Sequence, residues 1–130
     1  MTMVTVQKIE SLEIGCKKLL ERKKIRHVAV INHLGMQIAG RFKPGVIHFL
    51  DEEKIKMVYV QLLLDFKMRQ KLDDLSSPVD YIASKRKSLT IICVPTTNYL
   101  IVISADRNIR VGKAVKRIKS LFDVIDLTNQ

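Results

Sequence analysis

Two short segments, LTIICV at residues 89–94 and YLIVIS at residues 99–104, are apolar on both of their alternating faces. In an extended strand successive side chains point to opposite sides. Leu89, Ile91 and Cys93 therefore share one face, while Ile92 and Val94 share the other with Thr90. Leu100, Ile101, Val102 and Ile103 repeat the pattern. Strands of this kind belong in the middle of a sheet that is covered on both sides. The rest of the chain must therefore supply helices to both faces of one sheet.

Three segments have the period to do so. Residues 6–24 place Ile9, Leu12, Cys16, Leu19 and Leu20 on one helical face, with Lys8, Lys18 and Arg22 opposite. Gly15 costs that helix about 1 kcal/mol relative to alanine. A second helix is expected from a cap at Asp51 to about Leu72. Glu52 and Glu53 suit the positive end of its dipole, and Leu50 and Ile55 have the spacing of a hydrophobic staple. A last helix, capped by Asn108, carries Val111, Ala114, Val115, Ile118, Leu121, Phe122 and Ile125 in one stripe. Lys113, Lys116 and Arg117 form its back, with Lys119 at the flank.

The second helix differs from the others in having two apolar faces. Ile55, Val58, Tyr59, Leu62, Leu63 and Phe66 make a broad one, and Met57, Val60, Leu64 and Met68 a narrower one. A helix apolar on two sides has two neighbours. The sheet is one of them, and a single domain of 130 residues offers no evident second. A loop lying over the spare face and a homodimer interface are the two ways to cover it.

The remaining segments read as strands and turns. VAVI at 28–31 is rich in β-branched residues and is followed by NHLG at 32–35, with a return strand over 36–42. Asn32 suits the first position of the turn, and Gly35 supplies the left-handed residue that closes it as a bulge. Lys43-Pro44-Gly45 ends the return strand. Strands at 79–84 and 89–94 flank the basic hairpin tip SKRKS, and the strand at 99–104 returns after PTTN. The expected order is α-β-β-α-β-β-β-α, an α+β domain spanning residues 1–130.

Charge narrows the partners more than it narrows the fold. Lys and Arg number 23 against 13 Asp and Glu, a net charge of +10. This balance favours nucleic acid, anionic lipid or an acidic protein face, unless it serves solubility alone. No run is long enough to cross a bilayer as a helix, and Lys8 and Glu10 sit where a secretory leader would be apolar. Cys16 and Cys93 are too few for a disulfide framework, so a reduced, cytoplasmic setting is expected.

No catalytic set can be named. His27, His33 and His48 have no Cys or carboxylate at metal-ligand spacing. Cys93, at a strand centre, reads as a small buried hydrophobe. Gly35 and Gly40 form no phosphate-binding loop, and the Gly-Lys of VGKAV at 111–115 lies inside the last helix. Asp73-Asp74 and Glu52-Glu53 flank helix ends and suit capping and solubility. No metal or cofactor is expected. Lys85, Arg86 and Lys87 at the hairpin tip are candidates for contact with an anion or partner, helped by Lys23, Lys24 and Arg26 if these share its side. The basic clusters have no interleaved aromatics to stack on bases.

The element order, with helices on both faces of a five-stranded antiparallel sheet, resembles the roadblock/dynein light chain group of profilin-like and longin-like folds. VAVINHLGMQIAGRF is similar to that group's first hairpin, and YLIVISADRNIRVGKAVKRIKSLF to its last strand and closing helix. The stretch from Met57 to Pro95 looks more specifically like an uncharacterised archaeal branch. Its marks there are a methionine-rich helix with basic residues, a Pro-Val-x-Tyr strand and a basic hairpin: Met57, Met68, Arg69, Pro78, Val79, Tyr81 and Arg86. The resemblance implies a non-enzymatic adaptor that dimerises through its second helix and third strand and docks small Ras-like GTPases or larger assemblies. Met57, Val60, Leu64 and Met68 would then meet their symmetry mates, with Tyr81 and Ile82 at the joining strand edge. The alternative from another class is a nucleic-acid-associated protein that uses Lys85, Arg86, Lys87 and its lysine-rich helix backs on phosphates. Neither reading inserts the chain into a membrane.

Overall fold

The computed structural model describes residues 6–46 and 51–128, except the side chains of Ser76 and of residues 124–128. In chain order the elements are α1 (Val6–Leu20), β1 (Ile25–Ile31), β2 (Gln37–Phe42), α2 (Glu52–Gln70), α3 (Asp73–Ser76), β3 (Ile82–Lys85), β4 (Thr90–Pro95), β5 (Leu100–Ala105) and α4 (Val111–Thr128). The strands form one antiparallel sheet in the order β2-β1-β5-β4-β3. The doubly apolar β5 lies at its centre, with β1 and β4 on either side. The α2 segment carries the chain from one sheet edge, β2, to the other, β3.

The alternation of the strands divides the core in two. On one face Val28, Val30, Ile92, Val94, Ile101 and Ile103 are covered by α1 and α4, which contribute Leu12, Cys16, Leu19, Ala114, Val115, Ile118 and Phe122. On the other, Ala29, Ile31, Cys93, Leu100 and Val102 meet Tyr59 and Phe66 of α2. Each large side chain taken wholly out of water in this way contributes about 1.5–3 kcal/mol before the entropy of ordering it.

The first hairpin forms as its sequence requires. The Asn32 side chain accepts from the amides of Leu34 and Met36, at 2.9 and 3.0 Å. Gly35 has φ +80°, and the register shifts between Val30 and Ile31. Gly40, opposite Ala29, has φ +113°, and a Cβ there would stand 2.1 Å from the Val28 carbonyl oxygen. The two strands approach too closely at that point for any side chain.

Several boundaries differ from expectation. The first helix stops at Leu20, not residue 24. Arg22 donates to the Leu19 carbonyl in a tighter closing turn, and Ile25 is claimed by the pairing of β1 with Ala105. Asn108 does not cap α4: it lies in the turn where Ile109 donates to Asp106, and the helix begins at Val111. Residues 73–76, which lie beyond the expected end of the second helix, form a helical turn of their own. The third strand begins at Ile82 rather than 79. Its register with β4 runs toward Pro95, which has no amide proton to extend the ladder. His48 and the expected staple residue Leu50 lie outside the described residues, as does the side chain of Ile125.

Candidate protein-interaction surface

The α2 helix is built and anchored before it is exposed. Asp51 accepts from the Lys54 amide at 2.9 Å, Glu52 and Glu53 occupy its first turn, and Lys67 and Arg69 its last. These charges complement the dipole at both ends. On the inner side Tyr59 is buried, and its hydroxyl meets His27 Nε2 at 3.2 Å and donates to Gln37 Oε1 at 3.1 Å. Burial pushes the Tyr59 phenol up to about 12, so it stays a neutral hydrogen-bonding group. The His27 ring also packs against Phe42, at 4.2 Å between centroids, and lies nearly parallel to the Tyr59 ring, at 6.4 Å. Tyr59 thus ties the helix to β1 and β2 together.

The outer side is bare. Met57 and Met68 are 69% and 66% exposed, and Leu64 and Val60 are 52% and 44% exposed. These are the four residues assigned from sequence to a second neighbour, and all four remain exposed among the described residues. A shallow groove of about 670 Å³ runs beside them, bordered by Lys54, Lys56 and Gln61. The apolar surface also extends beyond the helix. A Cβ on Gly35 would lie 3.1 Å from Val60 Cγ2, so the β1–β2 turn abuts α2 there, and the exposed Leu34 and Met36 flank that contact. Leu72 and Leu75 follow the helix and are also exposed.

Tyr81 is exposed just ahead of β3. Ile82 is half-buried and packs on the α2 side of the core, so any contribution it makes at the edge comes from its backbone. Its strand, β3, is the edge of the sheet among the described residues, paired with β4. Leu34, Met36, Leu72 and Leu75 were not read as surface residues from sequence. The available signal was large apolar side chains placed in turns, where polar ones are the rule.

The basic tip stands apart from this surface. Lys85, Arg86 and Lys87 are exposed, and Arg107 donates to the Arg86 carbonyl at 3.1 Å. Lys23 and Lys24 do fall at the same end of the sheet, whereas Arg26 is engaged by Asp106 at 2.8 Å. Cys16 and Cys93 are free and buried under opposite faces, and burial pushes each thiol up to about 12. Among the described residues no group of three or more His, Cys, Asp or Glu could hold a metal, and no helix is long and apolar enough to cross a membrane.

This is a roadblock-type, profilin-like α+β fold. The chain superimposes on the gliding protein MglB of Thermus thermophilus with a TM-score of 0.79 at 12% identity, covering 97% of this chain and 96% of that one. The Roadblock/LC7 domain of Streptomyces avermitilis gives 0.69 at 9% identity, covering 89% and 95%. Profilin of Schizosaccharomyces pombe gives 0.63 at 18% identity, covering 91% and 98%. Comparison with curated proteins returns no match. The family model described as "Family of unknown function (DUF6659)" matches residues 3–124, and the chain belongs to that family.

Proposed function

We propose that this protein is a non-enzymatic homodimeric adaptor in which the outer face of α2 meets its symmetry mate and the paired domains dock a small Ras-like GTPase. One observation carries the dimer: Met57, Val60, Leu64 and Met68 are exposed in a row along a helix whose other apolar face is already packed. A 19-residue helix is about 28 Å long, enough to pair along its length with a second copy. Tyr81 and the free edge of β3 would extend the contact as a joined strand. Leu34 and Met36, beside Val60, would widen it.

The GTPase partner rests on kinship with the roadblock group and with MglB-like folds. It is tested by affinity capture from the source cell, with the protein immobilised and extracts supplied with GDP or a non-hydrolysable GTP analogue. The expected result is a small GTPase retained in one nucleotide state over the other. Capture of no GTPase in either state would overturn that half of the reading.

A further inference from the structure

The register of the sheet gathers positive charge at one end. Ile25 pairs with Ala105, His27 with Phe42, Thr90 with Ala105, and Lys85 with Thr90. The α1–β1 turn, the end of β2, the β3–β4 tip and the β5–α4 loop therefore meet at the same end, and each carries Lys or Arg. Between the α1–β1 turn and the first half of α4 lies a groove of about 660 Å³. Arg22, Lys23 and Lys24 form one wall. Arg110, Lys113, Lys116 and Arg117 form the other, and Ile25 and Ile109 lie between them. Among the described residues no carboxylate lines it.

We propose that this groove is a phosphate-binding cleft that holds the backbone of a nucleic acid without reading its bases. Like charges gathered around one groove repel one another, the more so within the ~8 Å over which charge is felt at physiological salt. Surfaces that need only solubility intersperse the two signs. Among the described residues the ion pairs are Arg26–Asp106, Arg41–Glu13 and Lys119–Asp80, and none draws on the groove. Arg117 Nε is buried and has no hydrogen-bond partner. Lys43 Nζ donates to the Arg22 carbonyl at 2.6 Å and braces the turn that forms the first wall.

The shape selects among polyanions. The site is concave, and no large exposed apolar side chain lines it to insert into a bilayer. Among the described residues no aromatic lines it either, so bases have nothing there to stack on and contact falls on phosphates. Beyond it, Arg107 donates to the Arg86 carbonyl and so brings the β5–α4 loop against the Lys85-Arg86-Lys87 tip. Across neighbouring strands about 4.8 Å apart, the span from β1 to β3 is roughly 15 Å. Such a reach matches several phosphates of an extended backbone rather than a single anion. The cleft belongs to the α1–α4 side of the sheet and the proposed dimer face to the α2 side, so both can be occupied together and each can fail alone.

The test is fluorescence anisotropy with a labelled 20-nucleotide oligouridine and a 20-base-pair DNA duplex, titrated across salt. Both should bind at low salt, with log K falling against log salt at a slope of about −3 or steeper, as for four or more phosphates. Reversing two exposed cations, Lys113→Glu with Lys116→Glu, should flatten the slope by about 2 and leave the circular dichroism spectrum unchanged. Arg69→Glu, in the last turn of α2 on the other side of the sheet, should leave binding as it is. Absence of binding at low salt would overturn the proposal. So would undiminished binding by the groove variant, or binding to vesicles rich in phosphatidylserine but to neither nucleic acid.

Discussion

On one side of the sheet two helices, α1 and α4, lie together and enclose Val28, Val30, Ile92, Val94, Ile101 and Ile103. On the other, α2 alone stretches from edge to edge. Tyr59 and Phe66 are fully buried there, while Ile55, Leu62, Leu63, Val79, Ile82 and Ile91 are only partly covered. Paired helices shield each other's flanks as well as the sheet. A single helix cannot, and α2 presents a second apolar stripe where α4 presents lysines. The difference teaches that the α1–α4 face is closed by helices of this chain, whereas α2 keeps an apolar stripe exposed among the described residues.

The strongest way to break this contrast is truncation on both sides. Phe122→Ala, beneath α4, should lower the unfolding free energy by about 3–5 kcal/mol, read from the midpoint of urea denaturation. Met68→Ala, on the outer α2 stripe, should change monomer stability by less than about 0.5 kcal/mol and act only on association. Similar losses at the two sites would erase the distinction.

A smaller effect is expected at the anchor. Tyr59→Phe keeps the ring but removes the hydroxyl that meets His27 and Gln37, and should cost about 1 kcal/mol by the same measurement.

The two cysteines sharpen the comparison further. Each thiol is pushed from 9.0 up to about 12 in the fold. The folded chain therefore holds protons that the unfolded chain releases. Stability is complete below pH 9 and declines between pH 9 and 12, which pH-dependent denaturation curves should show. At neutral pH a thiol reagent should modify Cys93, under the single helix, before Cys16, because the less enclosed face opens at lower cost.

What the sequence disclosed follows from the range of the signal. The central strand 100–103 and the spare stripe at 57, 60, 64 and 68 were legible because alternation and helical spacing are local patterns. The end of α1 was not. Lys23 and Lys24 are good helix formers, and nothing nearby shows that Ile25 is needed by a strand pairing with Ala105. Asn108 suits a cap or a turn equally, and tertiary pairing chose the turn. The walls of the basic groove come from residues 22–24 and 110–117, which only sheet register brings together. The tip at 85–87 drew attention because its charges are consecutive; the groove is formed by charges that are not.

Sedimentation equilibrium of the wild-type protein beside Leu64→Glu tests the central claim most directly. The account predicts a wild-type dimer and a Leu64→Glu monomer that keeps its helical circular dichroism, since Leu64 is exposed in the single chain. A wild-type protein that stays monomeric across the accessible concentrations, or a Leu64→Glu variant that remains dimeric, would contradict it.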